Sequence, residues 1–428
     1  MKRWVAGLTL VIGFVALLIA QFAGLLNRGA PIRVGLLHSE TGDMANSEKP
    51  LIDAEVLALE EINANGGLLS RRVEWVIADG RSDWLTFARE ATRLIETEKV
   101  DVIFGCWTSA SRKGVKPIVE QHNHLLFYPN AYEGLEQSPN IIYTGAAPNQ
   151  HIIPAVKWSY DKLHARKYFL AGSDHIWSHG VHAVVNDCLR ALGAEVVGEE
   201  YLLLGTMNVD ALIAKIKQTQ PDVILSTVTG DTNLPFYKRL AAAGLGPKNI
   251  PVVAFGVAEQ ELCSFPLGEM VGDYAACAYF QSLKRPENQD LVSRFKAKYG
   301  GDRVTSDAIA MAYSSVKLWA QAVEEAQAVD LATVRRLIAH QSLNAPGGII
   351  SIDRETQHTW RPVYIGQIRG DGQFNITWTS DKPVRPIPYP SSRTREEWDT
   401  FLAELFQRWG GNWANPARAE SPITVPGR

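Results

Sequence analysis

Cysteine is scarce in this sequence and long runs of one charge are missing. Four cysteines occur in 428 residues, Cys106, Cys188, Cys263 and Cys277, with no Cys-x-x-Cys pair. That spacing removes zinc-ribbon and thioredoxin-type readings. It leaves open a Cys263–Cys277 bridge in an oxidising compartment, although buried free thiols are the preferred reading for isolated cysteines in a large core. The 43 basic and 46 acidic residues are dispersed, so the net charge of -3 builds no footprint for nucleic acid or an anionic membrane surface. Equally absent are a Gly-x-Gly-x-x-Gly opening a helix after the first strand, a P-loop, a Gly-x-Ser-x-Gly elbow and a His-Glu-x-x-His motif. Dinucleotide, nucleotide and common hydrolase chemistries lose their best signals with them, and no cofactor is expected. Ten histidines are scattered along the chain, His122 and His124 among them. His175, His179 and His182 have i, i+4, i+7 spacing, but the first falls in a turn, and a metal site would want a supporting carboxylate or cysteine. Helix-surface histidines, and no metal, are expected.

The N-terminus does carry one long apolar run. After the basic head Met1-Lys2-Arg3, no charge interrupts the 23 residues from Trp4 to Leu26, long enough to span a bilayer as a helix. Residues 1–30 are therefore expected to be a signal peptide or signal anchor. Leu18-Ile19-Ala20 fits a cleavage site only loosely, and with no cysteine before Cys106 a lipid anchor is excluded. Positive charge held inside places everything from Asn27 outward, in the periplasm or on the outer face of the cytoplasmic membrane.

From Pro31 onward short apolar runs alternate with amphipathic ones. Ile32–Leu37, Arg72–Ala78 and Val102–Phe104 read as strands separated by single helices, the pattern of a parallel, doubly wound sheet. The rhythm restarts after Pro148 with strands at Lys167–Gly172, Glu195–Tyr201, Asp222–Thr227 and Val252–Phe255. After Cys277 come helices without strands, Glu287–Tyr299, Asp307–Ala328 and Leu331–His340, and then alternating strands from Gly348 to Trp378. The expected division is a first lobe of 31–147 and 275–346, a second lobe of 148–274 and 347–380, and a Pro- and Trp-containing tail, 381–428, with a short helix at Glu396–Trp409 and no obvious chemistry.

Around Val102–Gly145 a buried strand breaks at Gly105 into the small polar turn Thr108-Ser109-Ala110-Ser111, where a ligand would meet the amides of the following helix. Two more strand ends follow, with Tyr128 and Tyr132 flanking Pro129. Ile103-Phe104-Gly105-Cys106-Trp107-Thr108-Ser109-Ala110-Ser111-Arg112-Lys113, Tyr128-Pro129 with Tyr132-Glu133-Gly134, the segment Ser138 to Gln150 and Gly172-Ser173-Asp174 closely resemble the substrate-binding proteins of urea and short-chain amide ABC transporters. They also resemble the related amide receptor that controls amidase expression, and the likeness covers about Pro31 to Ser380. Even Lys382–Tyr389 and the later Glu-Glu-Trp look like the end of that receptor.

The resemblance implies an α/β type I periplasmic-binding fold, two lobes joined by three crossover segments, closing on a ligand like a hinge. It makes Ser109 a hydrogen-bond partner of the ligand's carbonyl or amide and Trp107 a pocket wall. Tyr128, Asn130 and Tyr132 fall at pocket positions. Thr229 and Asp231, in Thr-Gly-Asp-Thr-Asn, match the urea proteins, and Asp231 favours urea. On residue type alone Ser109 reads as a helix N-cap, Tyr128, Tyr132 and Trp107 as core aromatics, and Asp231 as a cap. After Gly172-Ser173-Asp174 the chain departs from the pattern: His175 and Trp177 stand where the family carries other aromatics. They put ligand identity in question and suggest closure that is pH-sensitive near neutrality.

The expected function is an extracytoplasmic receptor delivering urea or a short amide to an ABC permease. The alternative is a membrane-tethered sensor signalling to a partner protein. An amidohydrolase, with Cys106 or Ser109 as nucleophile, ranks below both, since neither has a recognisable base nearby; no enzyme is expected.

Overall fold

The computed structural model describes residues 29–265 and 267–415. The apolar run Trp4–Leu26 lies outside the described residues. Among those described, no helix is long and apolar enough to cross a membrane.

Five parallel strands form the first sheet: β1 (Ile32–His38), β2 (Val73–Asp79), β3 (Val102–Gly105), β4 (Leu126–Tyr128) and β5 (Ile141–Tyr143), in the order β2-β1-β3-β4-β5. The continuous apolar runs follow from cover on both faces. On β4, Phe127 joins the cluster under one layer of helices while Leu126 and Tyr128 join the cluster under the other. The intervening helices are α1 (Ala45–Ala64), α2 (Trp84–Glu96) and α3 (Ser109–Gln121). Asp83 caps α2, its carboxylate accepting from the Thr86 amide at 2.8 Å.

The second sheet takes β6 (Lys167–Ser173), β7 (Glu195–Leu202), β8 (Val223–Thr227), β9 (Val252–Ala254) and β10 (Tyr274–Cys277), with α4 (Ile152–Lys162), α5 (Ile176–Leu192), α6 (Asp210–Thr219), α7 (Asn233–Ala242) and the short α8 (Glu259–Leu262). Helices α9 (Pro286–Tyr299), α10 (Asp307–Ala326) and α11 (Leu331–Ile338) return to the first lobe, where α10 packs on α1. A small antiparallel sheet follows, β11 (Ser342–Ala345), β12 (Gly348–Ile352) and β13 (Thr359–Trp360), before β14 (Tyr364–Ile368) and β15 (Phe374–Thr379) extend the second sheet to β15-β14-β10-β9-β8-β6-β7. The last helix is α12 (Arg395–Arg408).

Two strands escaped the sequence reading. Tyr274–Cys277 is only four residues, two of them alanine, and follows Gly272-Asp273, too short for a period to show; it lies in the second sheet rather than opening the returning first-lobe segment at 275. Ser342–Ala345 pairs with Gly348–Ile352, so the 346/347 boundary falls within a hairpin, and Ile350 and Ile352 pack into the first-lobe core. The other strand and helix readings agree with the structure to within one or two residues at most ends. All four cysteines are free thiols, including Cys263 and Cys277.

The chain passes between the lobes three times, after β5, after β10 and before β14. The fully buried Arg361 ties these passages together. Its Nη1 donates to the Thr144 carbonyl at 2.9 Å and its Nη2 to the Asp307 carboxylate, whose other oxygen accepts from the Ala278 amide at 3.2 Å.

A buried charge cluster sits at the end of β1. His38 Nε2 lies 3.0 Å from Glu55 Oε1, Nδ1 lies 3.7 Å from Glu48 Oε2, and the Ser39 amide donates to Glu48 at 2.8 Å. Burial alone would disfavour the imidazolium, but Glu55 and Glu48 outweigh it and push the pKa up to about 9. Because the folded pKa lies above the unfolded one, the contribution is complete below pH 6.5 and is lost as pH rises through 9. Urea unfolding at pH 6 and pH 9 should show a loss of about 3 kcal/mol that a His38→Gln variant lacks; equal pH dependence in both proteins would refute this assignment.

Candidate functional site

A cavity of about 640 Å³ lies between the lobes, beyond the carboxyl ends of strands from both sheets. The first lobe presents the loop after β1, the start of α2 at Trp84, and the turn Trp107–Ala110 with Asn130. The second presents His175–Trp177, Thr229 with Gly230, and Phe255–Ala258.

The turn after β3 owes its shape to two unusual backbone conformations. Gly105 has φ +157, and a Cβ there would lie 2.1 Å from the Leu37 carbonyl oxygen; Cys106 follows at φ +66, its amide bonded to that same carbonyl at 2.9 Å. Thr108, not Ser109, is the N-cap of α3, accepting from the Ser111 amide at 3.0 Å. The first-turn amides of Ser109 and Ala110 have no acceptor within the helix, and both residues line the cavity.

Six of the nine residues expected at the site line the cavity: Trp107, Ser109, Asn130, His175, Trp177 and Thr229. Ser109 does so with its hydroxyl engaged. It donates to Glu133 and accepts from Arg112 Nη1 at 3.2 Å, within a buried network in which Arg112 also meets Glu136 at 2.8 Å and Glu133 at 3.2 Å, and Lys113 meets Glu136 at 3.0 Å. Asn130 Nδ2 donates to the Trp107 carbonyl at 3.0 Å, orienting that wall.

Tyr128, Tyr132 and Asp231 do not reach the cavity lining. Tyr128 and Tyr132 are fully buried behind it. Tyr128 donates to the Trp107 carbonyl at 2.7 Å, Tyr132 stacks on Tyr143 with centroids 5.3 Å apart, and the Arg112 guanidinium lies 4.7 and 4.3 Å from the two ring centroids. They brace the wall, as core aromatics. Asp231 is exposed in the one-turn 3-10 helix Gly230–Thr232, with Gly230 at φ +62 turning it outward. Its preference for urea falls with that position.

The second lobe's histidines have separate partners and do not converge. His175 Nε2 pairs with Thr229 Oγ1 at 3.2 Å, His179 with Asp174 at 2.8 Å, and His182 with Thr227 at 2.9 Å and Glu199 at 3.2 Å. Among the described residues no cluster could hold a metal ion. Burial, reinforced by His179, holds His175 down at about pKa 4, so this imidazole stays neutral around pH 7 and the expected switch near neutrality falls away. His151, which also lines the cavity, is likewise held at about 4 by burial.

Other lining residues were not anticipated: Trp84, Phe255, His151, Glu261, Asp307 and Asn412. The strand-end rule could have found the first two, since Trp84 follows β2 and Phe255 follows β9. His151 lies on the passage after β5, Asp307 opens α10 and is held to the passages by Arg361 and the Ala278 amide, and Asn412 arrives from the far end of the chain. Two lining side chains carry a buried polar atom with no protein partner, Trp177 Nε1 and His151 Nδ1. No lysine or arginine is among the described residues lining the cavity, whereas Asp43, Asp83, Glu261 and Asp307 are. Cys106 is buried, its thiol pushed far up by burial, and Ser109 is 2% exposed with its hydroxyl bonded to Glu133, so neither presents an accessible nucleophile.

A family profile described as "Periplasmic binding protein domain" matches residues 32–395, and the chain belongs to that family. A leucine-, isoleucine-, valine-, threonine- and alanine-binding protein of Pseudomonas aeruginosa is 22% identical over 355 residues, 80% of this chain and 91% of that one. A 117-residue stretch is 35% identical to a limonene hydroxylase of Geobacillus stearothermophilus, covering 27% of this chain and only 21% of that protein. Among solved structures, an ABC-transporter solute-binding protein of R. palustris in complex with benzoate superposes with a TM-score of 0.74 at 21% identity, over 84% of this chain and 98% of that one. At that identity the likeness establishes the type I periplasmic-binding fold.

Proposed function

We propose that this chain is an extracytoplasmic solute-binding protein that closes on a neutral, amide-headed solute, a short-chain amide or urea, and delivers it to an ABC permease. The observation that carries the reading is the chemistry of the lining: four carboxylates, two imidazoles that are neutral at pH 7, and no lysine or arginine among the described residues. An amide offers one carbonyl acceptor and N–H donors, and each buried group left unsatisfied costs about 1–3 kcal/mol. Its carbonyl would accept from the Ser109 and Ala110 amides or from Trp177 Nε1, and its N–H groups would meet the lining carboxylates and the Asn130 side chain. A benzoate-like anion would instead face Asp43, Asp83 and Glu261 with no lysine or arginine among the described lining residues, the nearby Arg361 being already paired with Asp307.

With Asp231 outside the lining, nothing singles out urea. The cavity volume and the rings of Trp84, Trp107, Trp177 and Phe255 favour an amide carrying an apolar body. A second reading is an amino acid such as the Pseudomonas relative's name describes, its carboxylate at the α3 amides and its ammonium against an acid; the acidic lining favours it over an aromatic acid. A thermal-shift panel of acetamide, propionamide, urea, leucine and benzoate separates these readings. A ligand at 100 times its dissociation constant stabilises by about 2.7 kcal/mol. Propionamide is expected to shift the midpoint most; a response to benzoate or leucine with none to any amide or urea would overturn the proposal.

A further inference from the structure

The chain beyond α12 turns back across the cavity and touches both lobes. α12 itself belongs to the second: Trp398, Leu402 and Leu405 pack in one cluster with Val181 and Leu189 of α5, and Arg393 clasps Asp187 at 2.7 and 2.9 Å. Gly410 and Gly411, at φ +65 and +81, then reverse the backbone. Ala414 pairs antiparallel with His175 and Asn415 Nδ2 donates to Asp174, both second-lobe contacts. On the opposite side Trp84 Nε1 donates to Asn412 Oδ1 at 2.8 Å, and Lys113 Nζ lies 5.0 Å from the Trp413 ring centroid, both first-lobe contacts. Asn412 also accepts from the Ala414 amide at 3.0 Å, which rigidifies the turn, and Asn412, Ala414 and Asn415 form part of the cavity lining.

We propose that Asn412–Asn415 is an interlobe latch: carried by the second lobe, it holds the first through Trp84 and Lys113, and it must release before a solute reaches the cavity. In a hinge-closing protein the lobes part by rigid rotation, and a segment fixed to one lobe and bonded to the other opposes that rotation directly. The two first-lobe contacts, one neutral hydrogen bond and one cation–π contact, are weak enough to be reversible and strong enough to bias the open and closed populations. The latch also gives the tail a role in gating that is independent of which solute is bound.

The test uses purified full-length protein with no solute added, so its outcome does not depend on the ligand assignment. Trp84→Phe deletes the donor on the first lobe, and Asn412→Ala deletes the acceptor on the tail; both positions are only half-buried. Each variant should raise the radius of gyration in solution scattering and should speed amide exchange about tenfold at 109–110 and 175–177, on both lobes. The double variant should add nothing to either single one. Unchanged scattering and exchange in both variants, or additive effects in the double variant, would overturn the latch. Acceleration confined to 412–415 would also overturn it, showing only a fraying tail.

Discussion

Replacing Arg112 by methionine should lower the unfolding free energy by about 3–5 kcal/mol, because it strands two buried carboxylates at once. Arg112 is fully buried, bonded to Glu136, Glu133 and Ser109, and sandwiched against Tyr128 and Tyr132. Burial by itself would raise the Glu136 carboxyl, yet Arg112 and Lys113 hold it far below the usual carboxylate range, so it remains charged at any pH at which the protein is studied. Methionine fills similar volume without a charge, leaving Lys113 alone to face Glu136. Because Ser109 and the Trp107 wall are fixed by the same network, solute affinity should fall with stability. Thermal unfolding followed by circular dichroism, with no solute present, measures the effect, and a loss below 1 kcal/mol would show that the network does not hold this wall.

Gly145→Ala should be comparably damaging for a purely steric reason. A Cβ at Gly145 would lie 1.7 Å from the Asn130 carbonyl oxygen, 2.1 Å from its carbon and 2.7 Å from the Ala131 amide nitrogen. These are backbone atoms, and no rotamer change relieves the overlap. The crossover after β5 and the Asn130–Ala131 wall would have to separate, at a cost of about 3 kcal/mol or more. Both Asn130 and Ala131 line the cavity, so affinity for any bound solute should drop as well. A variant with wild-type stability and binding would mean that these two segments are not packed backbone on backbone.

Much of this architecture was legible in the chain. The alternation of apolar runs with amphipathic stretches marked the two doubly wound units, and the Gly105–Ser111 turn marked one side of the site because helix amides and small hydroxyls converge there. Legibility failed where long-range partners decide a residue's direction. Nothing local says that the Ser109 hydroxyl turns to Glu133 and Arg112, or that Tyr128 faces the helix layer instead of the cleft. The motif points Asp231 at the site, but Asp231 is exposed to solvent, one residue after the left-handed Gly230. Tyr274–Cys277 was too short to show a period. Asn412–Asn415 carries no pattern at all; its place at the cleft follows from how α12 docks, a tertiary fact.

The central claim is that the cavity recognises a neutral amide head and rejects the isosteric anion. Calorimetric titration of the purified protein with propionamide and with propionate tests it most directly, because the two differ in charge and donors while nearly matching in size. The lining described above predicts saturable binding of propionamide and at least about 100-fold weaker binding of propionate, a difference of about 2.7 kcal/mol. Propionate binding as tightly as propionamide, or more tightly, would contradict it.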